Sequence, residues 1–170
     1  DHIDPDADPY AVLFAEYEPC LPLSTATEIL DELRETLVPL IESIRGSDVD
    51  LATDAFAGSF DTDSQESFSR EVLATLGYDF DRGRLDTSTH PFTSGNQFDA
   101  RITTRFDESD PLGALTSTIH EFVHAYYALG LHNDAFVTPL GSHRDLSVHE
   151  SQSPLCKNHF GRSEAFWELL

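Results

Sequence analysis

Lysine is almost absent from this sequence, in which Lys157 is the single example. Lysine and arginine together number 10 against 31 aspartates and glutamates, so the formal net charge is −21 at pH 7. Such a surface repels phosphates, which argues against nucleic acid as a partner and against an acidic substrate. Strong acidity with so little lysine is typical of a high-salt cytoplasm, where salt screens self-repulsion. We therefore predict a halophilic source, namely a halophilic archaeon.

Cysteines and long apolar runs are also scarce. The two cysteines, Cys20 and Cys156, cannot build a disulfide framework, and we expect reduced thiols in a reducing compartment. No apolar run approaches membrane-spanning length, and no secretory signal pattern opens the sequence. These absences predict a cytoplasmic protein that does not bind membranes. A length of 170 residues suffices for one domain with its own core.

The most informative stretch is the H-E-x-x-H pattern His120-Glu121-Phe122-Val123-His124. The two histidines are four residues apart, so on a helix both imidazoles lie on one face and can bind one metal ion. Glu121 lies beside the first ligand and can act as a general base toward the attacking water without being a ligand. Asp110-Pro111 predicts the start of this helix and Gly130 its end. The pattern therefore predicts metal-assisted hydrolysis.

A hydrolytic zinc site generally has three protein ligands, and the third is not adjacent here. The longer pattern H-E-x-x-H-x-x-G-x-x-H fails because Tyr127 and Gly130 stand at the glycine and third histidine positions. The remaining candidates follow further along the chain: His132, His143, His149 and Glu150. Spacing alone does not separate Glu150 from His149 or His143.

Periodicity predicts a mainly α fold with a small β element. Further helices are expected from Pro9 to about Glu16 and from Asp63–Ser64 to Gly77. A longer helix should begin at a capping box, Thr25 to Glu28, and continue to Arg45 with a kink at Pro39. Another should begin at Ser142–Asp145 and contain Pro154, which is unexpected inside a helix. Residues 98–106 alternate as one strand with an apolar and a polar face. A strand beside the metal helix could bind an extended peptide by edge pairing.

Five short segments occur in an order that resembles the M32 family of metallocarboxypeptidases. They are His90-Pro91-Phe92, Asp99-Ala100-Arg101-Ile102-Thr103-Thr104-Arg105, His120-Glu121-Phe122-Val123-His124, His149-Glu150-Ser151-Gln152-Ser153 and Gly161-Arg162-Ser163. Together they are far more specific than H-E-x-x-H alone. The family's N-terminal helices and two downstream motifs, of the forms I-R-x-x-A-D and G-x-x-Q-D-x-H-W, have no counterpart here. The resemblance thus covers residues 1–170 as a single partial M32 peptidase domain.

The resemblance implies a mostly helical gluzincin fold, in which the H-E-x-x-H helix is joined by a second helix that bears a glutamate. It implies His120, His124 and Glu150 as zinc ligands, with one Zn²⁺ per chain that Co²⁺ can replace. Glu121 would be the general base, and His90, Asp99, Arg101 and Thr103 would lie near the substrate. Family members are cytoplasmic, often dimeric, and shorten peptides from a free C-terminus, so we expect a homodimer or a complementing fragment.

Three functions compete at this point. The first is a zinc carboxypeptidase, in which Glu121 transfers a proton from the attacking water to the leaving amine. Its substrate carboxylate needs a cation, for which the candidates are Arg101, Arg105, Arg144 and Arg162. The second is a truncated zinc-binding remnant without turnover, and the third is an endopeptidase that uses the same metal site.

Overall fold

A computed structural model describes residues 8–49 and 57–170 of the chain. The chain divides into two compact units, residues 1–52 and 53–170. In its described part, the first unit consists of helices α1 (Pro9–Tyr17) and α2 (Leu23–Arg45). The predicted capping box is wrong, because α2 begins one turn earlier with Pro22 at its N-cap and Thr25 lies inside the helix. Pro39 also lies inside α2, which continues to Arg45.

The second unit contains three longer helices, three short strands and a C-terminal helical segment. Its regular elements are α3 (Thr62–Thr75), β1 (Leu85–Thr87), β2 (Thr93–Gly95), β3 (Ala100–Thr104), α4 (Pro111–Leu129), α5 (Leu146–Pro154), a π-helical segment (Leu155–Phe160) and α6 (Glu164–Leu169). Two 3-10 turns, Asn133–Ala135 and Pro139–Gly141, lie between α4 and α5. The mainly helical fold with a small β element is confirmed. No described helix is both long and apolar enough to cross a membrane.

The three strands form one sheet in the order β1-β3-β2. β3 pairs in parallel with β1, with Leu85 opposite Ile102, and antiparallel with β2, with Thr93 opposite Ile102. The strand predicted at 98–106 is confirmed over its centre, but it has a neighbour on each side. The prediction that this strand offers a free edge to a peptide is therefore wrong, and within the described residues β2 is the edge strand nearest the H-E-x-x-H helix.

Helix α4 packs across the sheet and forms the centre of the unit. Its boundaries confirm the prediction: Asp110 caps the N-terminus by accepting a hydrogen bond from Gly113 N, and Gly130 follows the last turn. Val123 and Ala125 on α4 are buried against Ile102 and Leu73. On its other side, Leu115 and Ile119 pack against Val72 and the fully buried Phe166. These two contacts fix the rotation of α4 about its axis and so determine where its histidines point.

Helix α5 ends differently from a regular helix. Asp145 caps its start by accepting from Val148 N, as predicted for the Ser142–Asp145 region. Pro154 lies in the last turn and is followed directly by the π-helical segment. Proline has no amide hydrogen to donate to the carbonyl four residues earlier, which accounts for the change in helical repeat at this point. The residues before Pro154 remain α-helical and pack against α4.

Candidate metal centre

The two histidines of the H-E-x-x-H pattern face each other one turn apart on α4. Their Nε2 atoms are 3.2 Å apart, and their rings are nearly perpendicular, at 82°. His124 is buried and His120 is partly buried. Core packing on two other sides of α4 turns the face that bears His120 and His124 toward a cleft. Both imidazoles therefore place their Nε2 atoms side by side in this cleft.

Glu150 on α5 completes the group. Its Oε2 atom lies 3.5 Å from Nε2 of His120 and 3.5 Å from Nε2 of His124. Zinc bonds of about 2.0–2.1 Å in a tetrahedral site place neighbouring ligand atoms about 3.3–3.4 Å apart. The triangle of 3.2, 3.5 and 3.5 Å has this size without rearrangement. Two imidazole nitrogens and one carboxylate oxygen are also the donor types that zinc binds, so these residues fit the ion.

The local electrostatics favour neutral imidazoles at this site. Burial lowers the pKa of His124 to about 4, although the nearby Glu150 carboxylate acts in the opposite direction. Burial also lowers the pKa of His149, and neighbouring His143 adds to that effect. A metal binds the neutral ring, so protons compete weakly for His124 near neutral pH.

A second layer of side chains orients His124. Its Nδ1 lies 2.5 Å from Nδ1 of His149 and 3.2 Å from the hydroxyl of Ser153, which is fully buried. Partners at the far ring nitrogen fix the tautomer and orientation of a metal-binding histidine. By contrast, Nδ1 of His120 is buried with no hydrogen-bond partner among the described residues. His124 is therefore the more firmly oriented of the two.

Glu121 lies beside the ligands and is almost fully buried, with 7% of its surface exposed. Its carboxylate oxygen Oε2 accepts a hydrogen bond of 2.7 Å from the hydroxyl of Thr93 on β2. The same hydroxyl lies 2.8 Å from the main-chain oxygen of Glu121. The carboxylate thus borders the ligand triangle without belonging to it, as a general base requires.

These groups line an open cleft of about 470 Å³. The lining contains the three candidate ligands and Glu121, together with apolar side chains, among them Phe92, Leu131 and Leu146. His90, Tyr127 and His143 also border the cleft. The cleft is open enough to admit a peptide chain end, and its apolar lining residues can contact a substrate side chain.

Comparison with known proteins identifies the family. A family model for Carboxypeptidase Taq (M32) metallopeptidases matches residues 1–170. The chain belongs to the M32 peptidase family. It is 37% identical over 160 residues to carboxypeptidase 1 of Bacillus subtilis strain 168, and the matched region covers 94% of this chain and 32% of that relative. It is 33% identical over 168 residues to thermostable carboxypeptidase 1 of Pyrococcus furiosus, with 97% and 34% covered.

Solved structures agree with this assignment. The crystal structure of the M32 carboxypeptidase from Deinococcus radiodurans R1 superposes with a TM-score of 0.87 at 40% identity, covering 94% of this chain and 32% of that chain. A structure of Trypanosoma cruzi metallocarboxypeptidase 1 gives a TM-score of 0.80 at 35% identity, with 94% and 34% covered. The M32 chain therefore spans about a third of the length of the relatives it matches.

The M32 site brings together some of the predicted residues and leaves others apart. His120, His124 and Glu150 form the one group of three or more candidate metal-binding side chains found among residues 8–49 and 57–170. His149 lies behind His124 rather than beside the ligand triangle, and His143 borders the cleft. His132 contributes its main-chain oxygen to the buried amide of Gln97 and does not line the cleft.

Thr103 supports the cleft from behind. It is buried, and its hydroxyl accepts hydrogen bonds from Phe92 N and from the hydroxyl of Ser88. Ser88 in turn contacts the main-chain oxygen of His90. Thr103 thereby holds the His90-Pro91-Phe92 segment, all three residues of which line the cleft.

Asp99 and Arg101 lie elsewhere. They form an exposed ion pair of 2.7 Å and border a separate depression together with Arg82 and Arg84. Arg105, Arg144 and Arg162 are also absent from the cleft lining. Within the described part of the chain, the cleft lining contains five histidines but no arginine or lysine. The sequence-based choice of an arginine for the substrate carboxylate thus has no support in the cleft wall.

Two polar residues of the M32 site escaped the sequence analysis. Ser153 lies one turn after His149 on α5, so helical spacing could have identified it as a neighbour of the same face. Thr93 directly follows the His90-Pro91-Phe92 segment, but its contact with Glu121 spans 28 residues of sequence. No local sequence pattern predicts a contact between residues so far apart in the chain.

Proposed function

We propose that this chain carries the catalytic centre of a zinc metallocarboxypeptidase that removes residues from the free C-terminus of peptides in the cytoplasm. The observation that carries the proposal is the convergence of three ligand atoms of zinc-site dimensions beside the buried carboxylate of Glu121. Membership of the M32 family and its carboxypeptidase relatives support the same reaction.

In this proposal His120, His124 and Glu150 hold the ion, and Glu121 moves the proton. When bound, zinc supplies Lewis acidity that polarises the scissile carbonyl and lowers the pKa of water to about 7. Glu121 accepts a proton from the attacking water and then delivers it to the leaving amine. His149 contacts Nδ1 of His124 and so favours the tautomer that leaves Nε2 free. The Ser153 hydroxyl lies 3.2 Å from Nδ1 and 3.3 Å from Nε2, so it packs against the same ring without selecting one nitrogen.

The edge of β2 provides a place for the substrate main chain. Thr103 N donates to the main-chain oxygen of Phe92, so the alternation of an antiparallel pair leaves the backbone groups of Thr93 and Gly95 directed away from β3. Both residues line the cleft. An extended peptide can therefore pair with β2 while its last carbonyl reaches the ligand triangle.

The terminal carboxylate needs a positive partner near this edge. His90 and His143 line the cleft and are not among the three ligands, so we propose them as its partners within the described chain. An imidazole N–H can donate a hydrogen bond to a carboxylate. The strongly acidic composition leaves few other cations to serve this purpose.

The decisive experiment compares wild-type protein with Glu121→Gln after zinc loading. Each is incubated with an unstructured peptide in molar salt, which screens the charge of −21, and products are read by mass spectrometry. Wild-type protein should give a ladder shortened from the C-terminus that a chelator abolishes. Glu121→Gln should bind zinc normally and lose activity by at least about a hundredfold, because it removes the general base.

Glu71→Gln is the matched control, since Glu71 lies exposed on α3 and lines no part of the cleft. It should retain wild-type activity. Full activity of Glu121→Gln would overturn the assigned mechanism. Internal cuts in place of a ladder would instead favour the endopeptidase.

A metal-binding protein without turnover is the second candidate. The absence of arginine and lysine from the described cleft lining favours it, because no permanently charged cation lies there to bind a terminal carboxylate. Folded, zinc-loaded wild-type protein that cleaves no peptide would support this candidate over the carboxypeptidase.

A further inference from the structure

Thr93 makes the one side-chain contact to the Glu121 carboxylate that the described residues provide. Its Oγ1 lies 2.7 Å from Oε2 and 2.8 Å from the main-chain oxygen of the same glutamate. A hydroxyl has one hydrogen, so it donates to one of these oxygens at a time. Hydrogen bonds to an ionised carboxylate are roughly twice as strong as neutral ones, so Oε2 is the preferred acceptor.

The position of Thr93 is itself well fixed. It lies on β2 opposite the fully buried Ile102, and the preceding residue, Phe92, is tied to Thr103 by hydrogen bonds in both directions. The hydroxyl is therefore anchored to the sheet, whereas Glu121 is anchored to α4. The bond connects two elements that pack against each other and prevents rotation of the carboxylate about its last torsion angle.

We propose that Thr93 is a positioning residue for the general base: it holds Oε2 of Glu121 so that Oε1 is left to exchange protons with the attacking water. The inference rests on the proposed hydrolytic function but assigns a residue which that function leaves open. Thr93 makes no hydrogen bond to His120, His124 or Glu150, so it should act on the chemical step and leave metal binding unchanged.

The test compares Thr93→Val, which keeps the shape of the side chain, with Thr93→Ser, which keeps the hydroxyl. Thr93→Val should lower kcat by about 10- to 100-fold, the effect expected when a reacting group is misplaced by up to 1 Å. The zinc dissociation constant should stay within about twofold, because the Thr93 hydroxyl bonds to Glu121 and to none of the three metal-binding side chains. KM should change as little, because the substrate is proposed to pair with the main chain of β2, which the substitution keeps. Thr93→Ser should recover kcat to within about threefold of wild type.

Thr87→Val is the matched control, because Thr87 is exposed on the opposite edge strand β1 and does not line the cleft. It should leave kcat unchanged. If Thr93→Val does not fold, Thr93→Ala and Thr93→Ser provide the same comparison with and without the hydroxyl. Equal kcat for the hydroxyl-free variant and an active wild type would overturn the inference, whatever happens to thermal stability.

Crystal structures of zinc-loaded wild type and Thr93→Val test the inference independently of turnover. The wild type should show the Thr93–Glu121 hydrogen bond, and the variant should show the carboxylate rotated while the three metal-binding side chains keep their places. An unmoved carboxylate in the variant would overturn the inference. An inactive wild type with these two expected structures would count against the proposed function alone.

Discussion

Glu150→Gln is the sharpest perturbation of the metal centre. The side chain of Glu150 is 55% exposed, so the change to an amide of the same shape should leave the fold intact. It removes the negative charge that faces Nε2 of both His120 and His124 at 3.5 Å. A neutral amide is a weak zinc ligand compared with a carboxylate, so zinc affinity should fall while the metal-free protein stays as stable as wild type.

The size of the effect follows from linkage. At free zinc about a thousandfold above its dissociation constant, the wild type gains about 4.1 kcal/mol of stability. If the variant binds about a hundredfold more weakly, its gain at the same free zinc is about 1.4 kcal/mol. For a chain of this size, each kcal/mol changes Tm by roughly 2–4 °C. Zinc should therefore raise the wild-type Tm by about 8–16 °C and that of the variant by about 3–6 °C.

The assay is thermal unfolding followed by circular dichroism, with and without zinc, at fixed free metal set by a buffering chelator. Glu71→Gln serves as the control and should show the full wild-type increase in Tm. A full increase in Glu150→Gln as well would refute the assignment of Glu150 as the third ligand. The search would then return to His143 and His149, the neighbouring histidines that border the cleft.

Two further predictions concern the second layer and the core. His149→Ala should weaken zinc binding about 10- to 100-fold, because it removes the partner of Nδ1 of His124. His159→Ala, at an exposed position, should leave zinc affinity unchanged. Equal zinc affinities of the two variants in a competition titration would contradict the role of His149. Burial raises the pKa of Tyr78 to about 12, and its neutral phenol donates a hydrogen bond of 2.6 Å to Ala100 O. The folded state thus favours the neutral phenol, so its contribution to stability is fully present below about pH 10, the pKa of an unfolded tyrosine. By pH 12 the free energy of unfolding should fall by about 2 to 3 kcal/mol. Denaturant titrations of wild type and Tyr78→Phe across this range should show that loss in the wild type alone, and a parallel loss in Tyr78→Phe would contradict it.

Helix α4 shows how much of the site local sequence can predict. Asp110, Pro111 and Gly130 mark its ends by local chemistry that acts within a few residues, and the structure confirms all three. The i, i+4 spacing of His120 and His124 is equally local, so their common face follows from helix geometry alone. Two of the three candidate ligands and the proposed general base could therefore be predicted without knowledge of tertiary structure.

The position of the third candidate ligand depends on contacts between distant segments. Residues 130–145 reach α5 through two 3-10 turns, whose path places Glu150 rather than His132 next to α4. Periodicity carries no information about such a path, so the sequence alone leaves four candidates for the third ligand. The order of several short motifs selected Glu150 because a family resemblance includes tertiary information that a single pattern lacks.

Short strands and helix starts were missed for physical reasons. β1 and β2 have three residues each, too few for alternation to be recognised, and they exist because β3 pairs with both. The capping box from Thr25 to Glu28 has the right spacing, but the chain enters α2 at Pro22, which already fits the first turn. In both cases residues outside the short segment under consideration determine the structure: β3 for the two short strands, and Pro22 for the start of α2.

The proposed function assigns metal binding and recognition of a chain end to different residues. Helices α4 and α5 supply every candidate ligand and the proposed general base, and β2 supplies the hydroxyl that contacts this base. With Ser153 beside His124, the groups proposed for hydrolysis lie between residues 93 and 153. Preference for a free C-terminus needs a cation as well, and the described cleft offers only His90 and His143 besides the ligands and His149. Replacing both by glutamine should therefore leave zinc affinity unchanged while it abolishes the terminal ladder. A ladder that survives the double substitution would place the carboxylate partner elsewhere than these two histidines.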